Sequence, residues 1–511
     1  MHHRVEKFRV HLHDPPRRAA HVDWVKEEER LFYSDLAGEA REESPKNCHK
    51  EPAKKVEWLE LFFDLVFVAV FAQTSELLAE ANALNSPCKD ENHHGRLLSS
   101  LSHDGPFGMN ESQMLVFSYF FAAFFSVKVW AMECHINGCV DGCNDVFGRF
   151  LTFLVMGGFA GMCANVHGGV GDINSLQEFV RNLGGIYLWF FMKACRVAYN
   201  LEGAPKRAWR ILAVIFLTQC ISTLLVGYLI TSREALIIST LAIGTVIGQV
   251  INYSTGLSKT LNEEMPPHPS HLAERYGLFM IIVLGEATVH AINGSAAHFR
   301  KVGNNGAFRG TAVLGGLLSF VPIFAVWWRY FDNFDERVGF FRISANLWKL
   351  CHYLLAAAIG GVASSLGFML DFSACEDLKA TLLPSYAQNM AMISIAAMEF
   401  FLGFIIIINM RRKQRDKGVF SRSRYRLYWL ANFSNVAVLL LMNLISFTPF
   451  GLLGYLGVHY IALICIDVTS WHAIERSLRR MRETSEEAAE TQLSVSVTTS
   501  VADVSVKSSD V

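Results

Sequence analysis

The sequence predicts an all-α fold, a polytopic transmembrane helix bundle of about twelve spans. Three observations carry that expectation. Apolar blocks long enough to cross about 30 Å, at about 1.5 Å per residue, recur along the chain about a dozen times. The 511 residues are 51% hydrophobic and only 18% charged, where soluble domains run at about 25% charged. The charge gathers at both ends and in short runs between the blocks, where a chain crossing a bilayer meets water.

Taken in order, residues 1–55 form a hydrophilic arm with acids interspersed among its arginines and no apolar signal-peptide core, so neither a signal nor a transit peptide is expected. The membrane domain is expected over 56–470, with spans at 57–78, 113–132, 147–166, 180–198, 209–230, 235–252, 273–292, 310–329, 346–369, 387–409, 428–446 and 449–469. Tryptophans near block ends, among them Trp209, Trp327 and Trp348, suit an interfacial belt. Residues 471–511 open as a charged helical stub and run into a Ser/Thr-rich tail that cannot bury a core and is expected to be disordered. The terminal Ser509-Asp510-Val511 fits a PDZ-type groove, with an ordinary tail as the blander alternative.

Lysine and arginine set the orientation. The runs 411–426, 205–210 and 329–342 carry Lys or Arg and share one side if both termini are cytosolic. Arg300, Lys301 and Arg309 run against this arrangement. With termini inside, Asn110 begins a glycosylation sequon in the first outer loop, and Cys88 and Cys375 both lie outside, where they are candidates for a disulfide. The host membrane is expected to be the plasma membrane or an endomembrane.

Two spans carry ionisable groups at depth. In the first, Glu57, Glu60 and Asp64 are spaced three and four apart and share one helix face, with Ser75 further along it and Phe63, Val66 and Val70 left to lipid. In the seventh, Arg275, Glu286 and His290 share a face, and Gly285 offers a neighbouring helix close approach. Lys193 and Arg196, near the end of the fourth span, are available to neutralise an acid; Glu399 sits inside a later span. These groups either line an ion or proton pathway, the default for intramembrane ionisables, or form buried pairs such as Asp64 with Lys193 or Arg275. The stretches 59–73 and 273–287 are similar enough to suggest two six-helix parallel repeats, or coincidence between apolar segments.

Other chemistry is thinly represented. Cys134, His135, Cys139 and Cys143 could hold zinc, but the spacing lacks the usual tight pairs, and a loop that happens to contain cysteines is the commoner explanation. Phosphate-cradling loops, nucleophile elbows and zinc-protease helices are absent from the sequence, so an enzyme is not the expectation and no cofactor is implied. A net charge of −1 without a basic domain argues against nucleic acid as a partner.

"VEWLELFFDLVFVAVFAQ" (56–73), "HLAERYGLFMIIVLGEATV" (271–289) and "VWWRYFD" (326–332) resemble the signature segments of the low-temperature-requirement protein A (LtrA) family, and "WKLCHYLL" (348–355) is a looser match. The resemblance implies a many-helix integral membrane protein and supplies no substrate. Its family-like positions are Glu60, Asp64, His271, Glu274, Arg275, Glu286, Trp328, Asp332 and His352. The leading expectation is a transporter or channel-like protein for a small ion or solute, coupled to protons, with the lipid bilayer as its surroundings. Asp64 and Glu286 would be its ionisable centres, Glu60 and Arg275 would tune them, and His290 would relay a proton. A membrane-embedded lipid-modifying enzyme and a non-transporting scaffold are the alternatives; the scaffold predicts that every buried acid is paired with Lys or Arg.

Overall fold

The structure, a computed structural model, describes residues 17–18, 58–84, 111–141, 145–167, 173–244, 269–302, 306–333, 342–373, 383, 385–417 and 422–465. Within these, the chain is helical apart from a two-residue antiparallel pairing of β1 (Arg17–Arg18) with β2 (Val140–Asp141), in which Arg17 faces Asp141. The helices are α1 (Trp58–Leu84), α2 (Glu111–Cys139), α3 (Val146–His167), α4 (Ile173–Asn200), α5 (Gly203–Leu229), α6 (Arg233–Ala242), α7 (Pro269–Val302), α8 (Gly306–Asp332), α9 (Arg342–Ser373), α10 (Ser385–Lys417), α11 (Arg422–Met442) and α12 (Pro449–Cys465). Apolar runs adopt helix because a bilayer offers backbone N–H and C=O groups no water, and a helix satisfies them internally.

Among the described residues, seven helices (α1, α3, α5, α7, α8, α9 and α10) are long and apolar enough to cross a membrane. The protein is therefore an integral, multi-pass membrane protein. Helices α2 and α4, of 29 and 28 residues, are long enough but carry Lys128 and Glu133, or Arg181, Lys193 and Arg196, within their length. The apolar parts of α11 and α12 are shorter, Trp429–Met442 and Pro449–Cys465. The sixth expected span lies partly outside the described residues, as do the sequon at Asn110, Cys88, Cys143 and Cys375.

The neighbour order is the same in both halves. In the first half α1 packs on α2 and α3, α3 on α4, and α4 on α5; in the second α7 packs on α8 and α9, α9 on α10, and α10 on α11. The halves meet where α1 packs against α9 and α7.

Four expectations change. Phe63 and Val70 do not face lipid: both are buried, because α2, α3, α7 and α9 surround much of α1, and the strip Trp58, Phe62, Leu65 and Ala69 is exposed. Trp209 and Trp348 are fully buried and serve packing, whereas Trp327 is exposed. Arg329, counted with the run 329–342, is buried inside α8. Finally, the close approach to α7 falls at Gly294 and not at Gly285, which faces open space. A Cβ on Gly294 would stand 2.9 Å from the Cα of Gly367 on α9, so the two backbones touch with no side chain between them.

Gly294→Leu is therefore expected to lower the melting temperature of the detergent-purified protein, by an overpacking cost of about 1–3 kcal/mol. Gly285→Leu should stay within about 0.5 kcal/mol of the parent, as a substitution into open space does.

Candidate functional site

Asp64 lies two turns into α1 and is 2% exposed. Its Oδ1 accepts hydrogen bonds from Arg275 Nη2 of α7 at 2.7 Å and from the Trp130 indole N–H of α2 at 2.8 Å. One turn back on α1, Glu60 Oε1 is 3.4 Å from His271 Nε2, and its Oε2 is 3.9 Å from Arg275 Nη1. Residues 60 and 64 meet 271 and 275 because each pair is spaced i, i+4 and so shares one helix face. The sulfur of Cys134 lies 3.5 Å from Arg275 Nη2.

In this cluster two carboxylates share one guanidinium, and the remaining member is a histidine. The cluster is incompletely bonded. Arg275 is 1% exposed, yet its Nε and Nη1 have no hydrogen-bond partner among the described residues, nor has Asp64 Oδ2. Buried polar atoms are rarely left so without water to meet them.

A cleft beside the cluster is lined by Leu59, Glu60, Asn137, Thr152, Lys193 and Arg196, among others. Its roughly 20 Å³ of room exceeds the ~10–15 Å³ that one water needs, but is too small for an organic solute. Its polar wall is internally paired. Lys193 bonds to Glu133 and donates to Thr152 Oγ1 at 2.7 Å, Thr152 donates to Glu133 at 2.9 Å, and Arg196 meets Asp145 at 2.5 Å. Lys193 and Arg196 thus neutralise Glu133 and Asp145, and Asp64 takes Arg275 in preference to Lys193.

A second centre spans the same two helices further along. Glu286 Oε1 is 3.3 Å from His290 Nε2, which is 2.6 Å from Ser75 Oγ of α1. Ser75 donates its hydroxyl proton to the Ala72 carbonyl at 2.7 Å, so Nε2 carries the hydrogen shared with Ser75. A third polar group lies in the second half. Arg329 pairs with Glu399 and donates to Asn432 Oδ1 at 2.9 Å, while Asn435 donates to Glu399 at 3.2 Å.

The other expected positions separate from these centres. His352 is buried; its Nδ1–H donates to the Trp348 carbonyl at 2.7 Å, so its Nε2 accepts from Tyr330 O–H at 2.8 Å. That ring belongs to an aromatic box with Tyr276 and is not in the Asp64 cluster. Glu274 and Asp332 are exposed, and Trp328 is half-buried. Cys139 approaches His135 at 3.6 Å, whereas Cys134 turns toward Arg275. No group of three metal-ligating side chains occurs among the described residues.

Sequence periodicity located the acids but missed Trp130 and Glu133. A tryptophan in an apolar run and an acid at a span's end carry no signal of a partner on another helix.

Residues 55–466 match the family model described as "Bacterial low temperature requirement A protein (LtrA)". No curated protein and no solved structure matches the chain.

Arg329→Leu is expected to destabilise the protein by about 3–5 kcal/mol because it strands Glu399 as an unpaired buried charge. The double substitution Arg329→Leu with Glu399→Leu should recover most of that loss, as read from thermal unfolding in detergent.

Proposed function

The chain belongs to the low temperature requirement A family, and from that premise we propose that this multi-pass membrane protein is a proton-coupled transporter, or channel-like protein, for a small ion or solute. The observation that carries this reading is the buried Glu60–Asp64–His271–Arg275 cluster, in which a carboxylate that lines a cleft faces a histidine. Leaving a net charge unpaired in a low-dielectric interior costs several kcal/mol per ion. Asp64 is held by Arg275, while Glu60 faces His271, a group whose charge depends on a proton, so a proton can enter or leave this part of the cluster. In this reading the Glu60–His271 pair exchanges the proton, and Asp64 fixes Arg275 beside it.

The pairs Glu133–Lys193, Asp145–Arg196 and Glu399–Arg329 each match one acid to one base. That is the pattern a scaffold would show throughout. Glu60 is distinguished by facing a histidine and by lining the cleft. In this reading both termini are cytosolic, the cleft opens on that side, and water there exchanges the proton. Glu60 takes it up or gives it out, His271 shares it, and Arg275 holds the field constant at Asp64. A substrate whose transport is coupled to this step is a small cation, or a solute moving with the proton.

The test is reconstitution of the full chain into liposomes, with proton and monovalent-cation flux recorded under an imposed gradient. Glu60→Gln is expected to reduce coupled flux at least tenfold with melting temperature and size-exclusion profile preserved. Flux unchanged in the Glu60→Gln, Asp64→Asn double variant would sink the assignment.

A further inference from the structure

The two centres shared by α1 and α7 are separated by a stretch without a charged side chain on the facing stripes. Along α1 the facing side reads Asp64, Phe67, Phe71, Ser75; along α7 it reads Arg275, Phe279, Val283, Glu286, His290. Phe67, Phe71, Phe279 and Trp130 of α2 fill the interval and are fully buried. Phe67 and Phe279 have centroids 5.3 Å apart, Phe279 stacks on Trp130 at 4.4 Å with planes 27° apart, and Phe67 lies 5.8 Å from Phe71 and 6.0 Å from Trp130. Eleven residues of helix separate Asp64 from Ser75, about 16 Å along the axis. No single hydrogen bond spans that distance.

We propose that Phe67, Phe71, Trp130 and Phe279 form a dry gate between two proton-holding centres, Glu60–Asp64–His271–Arg275 on the cleft side and Ser75–Glu286–His290 on the far side. The proposal rests on the transport reading above and names the transferred species as a proton. Closed rings exclude a file of water, and apolar constrictions of this kind control conduction by wetting and drying. When the rings part, water threads the α1–α7 seam. A proton leaves the Glu60 carboxyl or the His271 ring, passes along the water, and bonds to the Glu286 carboxylate or the free nitrogen of His290; the donor's O–H or N–H bond breaks as the new one forms.

Trp130 ties the gate to the inner centre. Its indole N–H donates to Asp64 while its face stacks on Phe279. Any displacement of the Asp64 carboxylate therefore acts on a ring that is itself part of the barrier. On the far side, Glu286 lies beside His290, so a proton arriving on the imidazole meets a counter-charge at 3.3 Å.

The experiment uses the full chain in liposomes loaded with a pH-sensitive dye, with a potassium diffusion potential imposed by valinomycin. Phe279→Ala is expected to raise potential-driven proton entry at least tenfold over the parent, and Glu286→Gln in that background to remove most of the gain. Phe71→Ala provides a second opening of the gate, read in the same way should Phe279→Ala fail to fold. Folded gate variants that leak no more than the parent would overturn the gate. If the parent's coupled flux still depends on Glu60 in that case, the transport reading stands without it. A Glu286-dependent leak in the gate variants, beside a parent with no flux of its own, upholds the gate and removes the transport reading. A leak that ignores Glu286→Gln also overturns the proposal, since it marks a general defect in packing.

Discussion

Arg275 is 1% exposed within a span, and its guanidinium can stay there only because Asp64 meets it at 2.7 Å with a second acid nearby. Desolvating a permanent cation costs several kcal/mol, so a partner is obligatory and its place is fixed. That requirement brings the beginning of α1 against the beginning of α7, two helices 211 residues apart in the pairing. It also holds α2 in position, since Trp130 bonds to the same carboxylate oxygen that Arg275 uses. At the junction between the first and second halves, one carboxylate oxygen thus serves two donors.

Two further buried charge pairs correspond between the halves. In the first half an acid on the second helix, Glu133 of α2, pairs with a base on the fourth, Lys193 of α4. In the second half the second and fourth helices are again joined, but Arg329 of α8 supplies the base and Glu399 of α10 the acid. The same helix positions are tied by the same kind of contact with the sign exchanged, within the same neighbour order. Each pair is neutral and engages further hydroxyl or amide groups, which is how an ion pair persists where water is scarce.

Much of this was legible in the sequence. The apolar blocks gave the class of fold, and the 3.6-residue period put Glu60 with Asp64 and Arg275 with Glu286 and His290 on their respective faces. Arg275 was one of two partners the residues allowed for Asp64. The choice between it and Lys193 was not encoded in any local pattern, because it depends on which helices become neighbours. Arg329 was misread for a related reason: at the end of an apolar block, a basic residue facing a buried Glu399 looks the same as one in a cytosolic loop. A helix with one polar stripe is expected to show its opposite face to the membrane, which would place Phe63 and Val70 in lipid. A helix packed against four others buries much of that face.

The contact of Gly294 with Gly367 lies beyond the second polar centre, well away from the Asp64 cluster along α7. Where side chains interdigitate, two helices are held at one angle, because any rotation must lift ridges out of grooves. Bare backbone against bare backbone has no such teeth. Toward the other end of the same pair, Tyr276 of α7 packs on Trp348 and His352 of α9, so the crossing is set there by side chains and is smooth at the glycines.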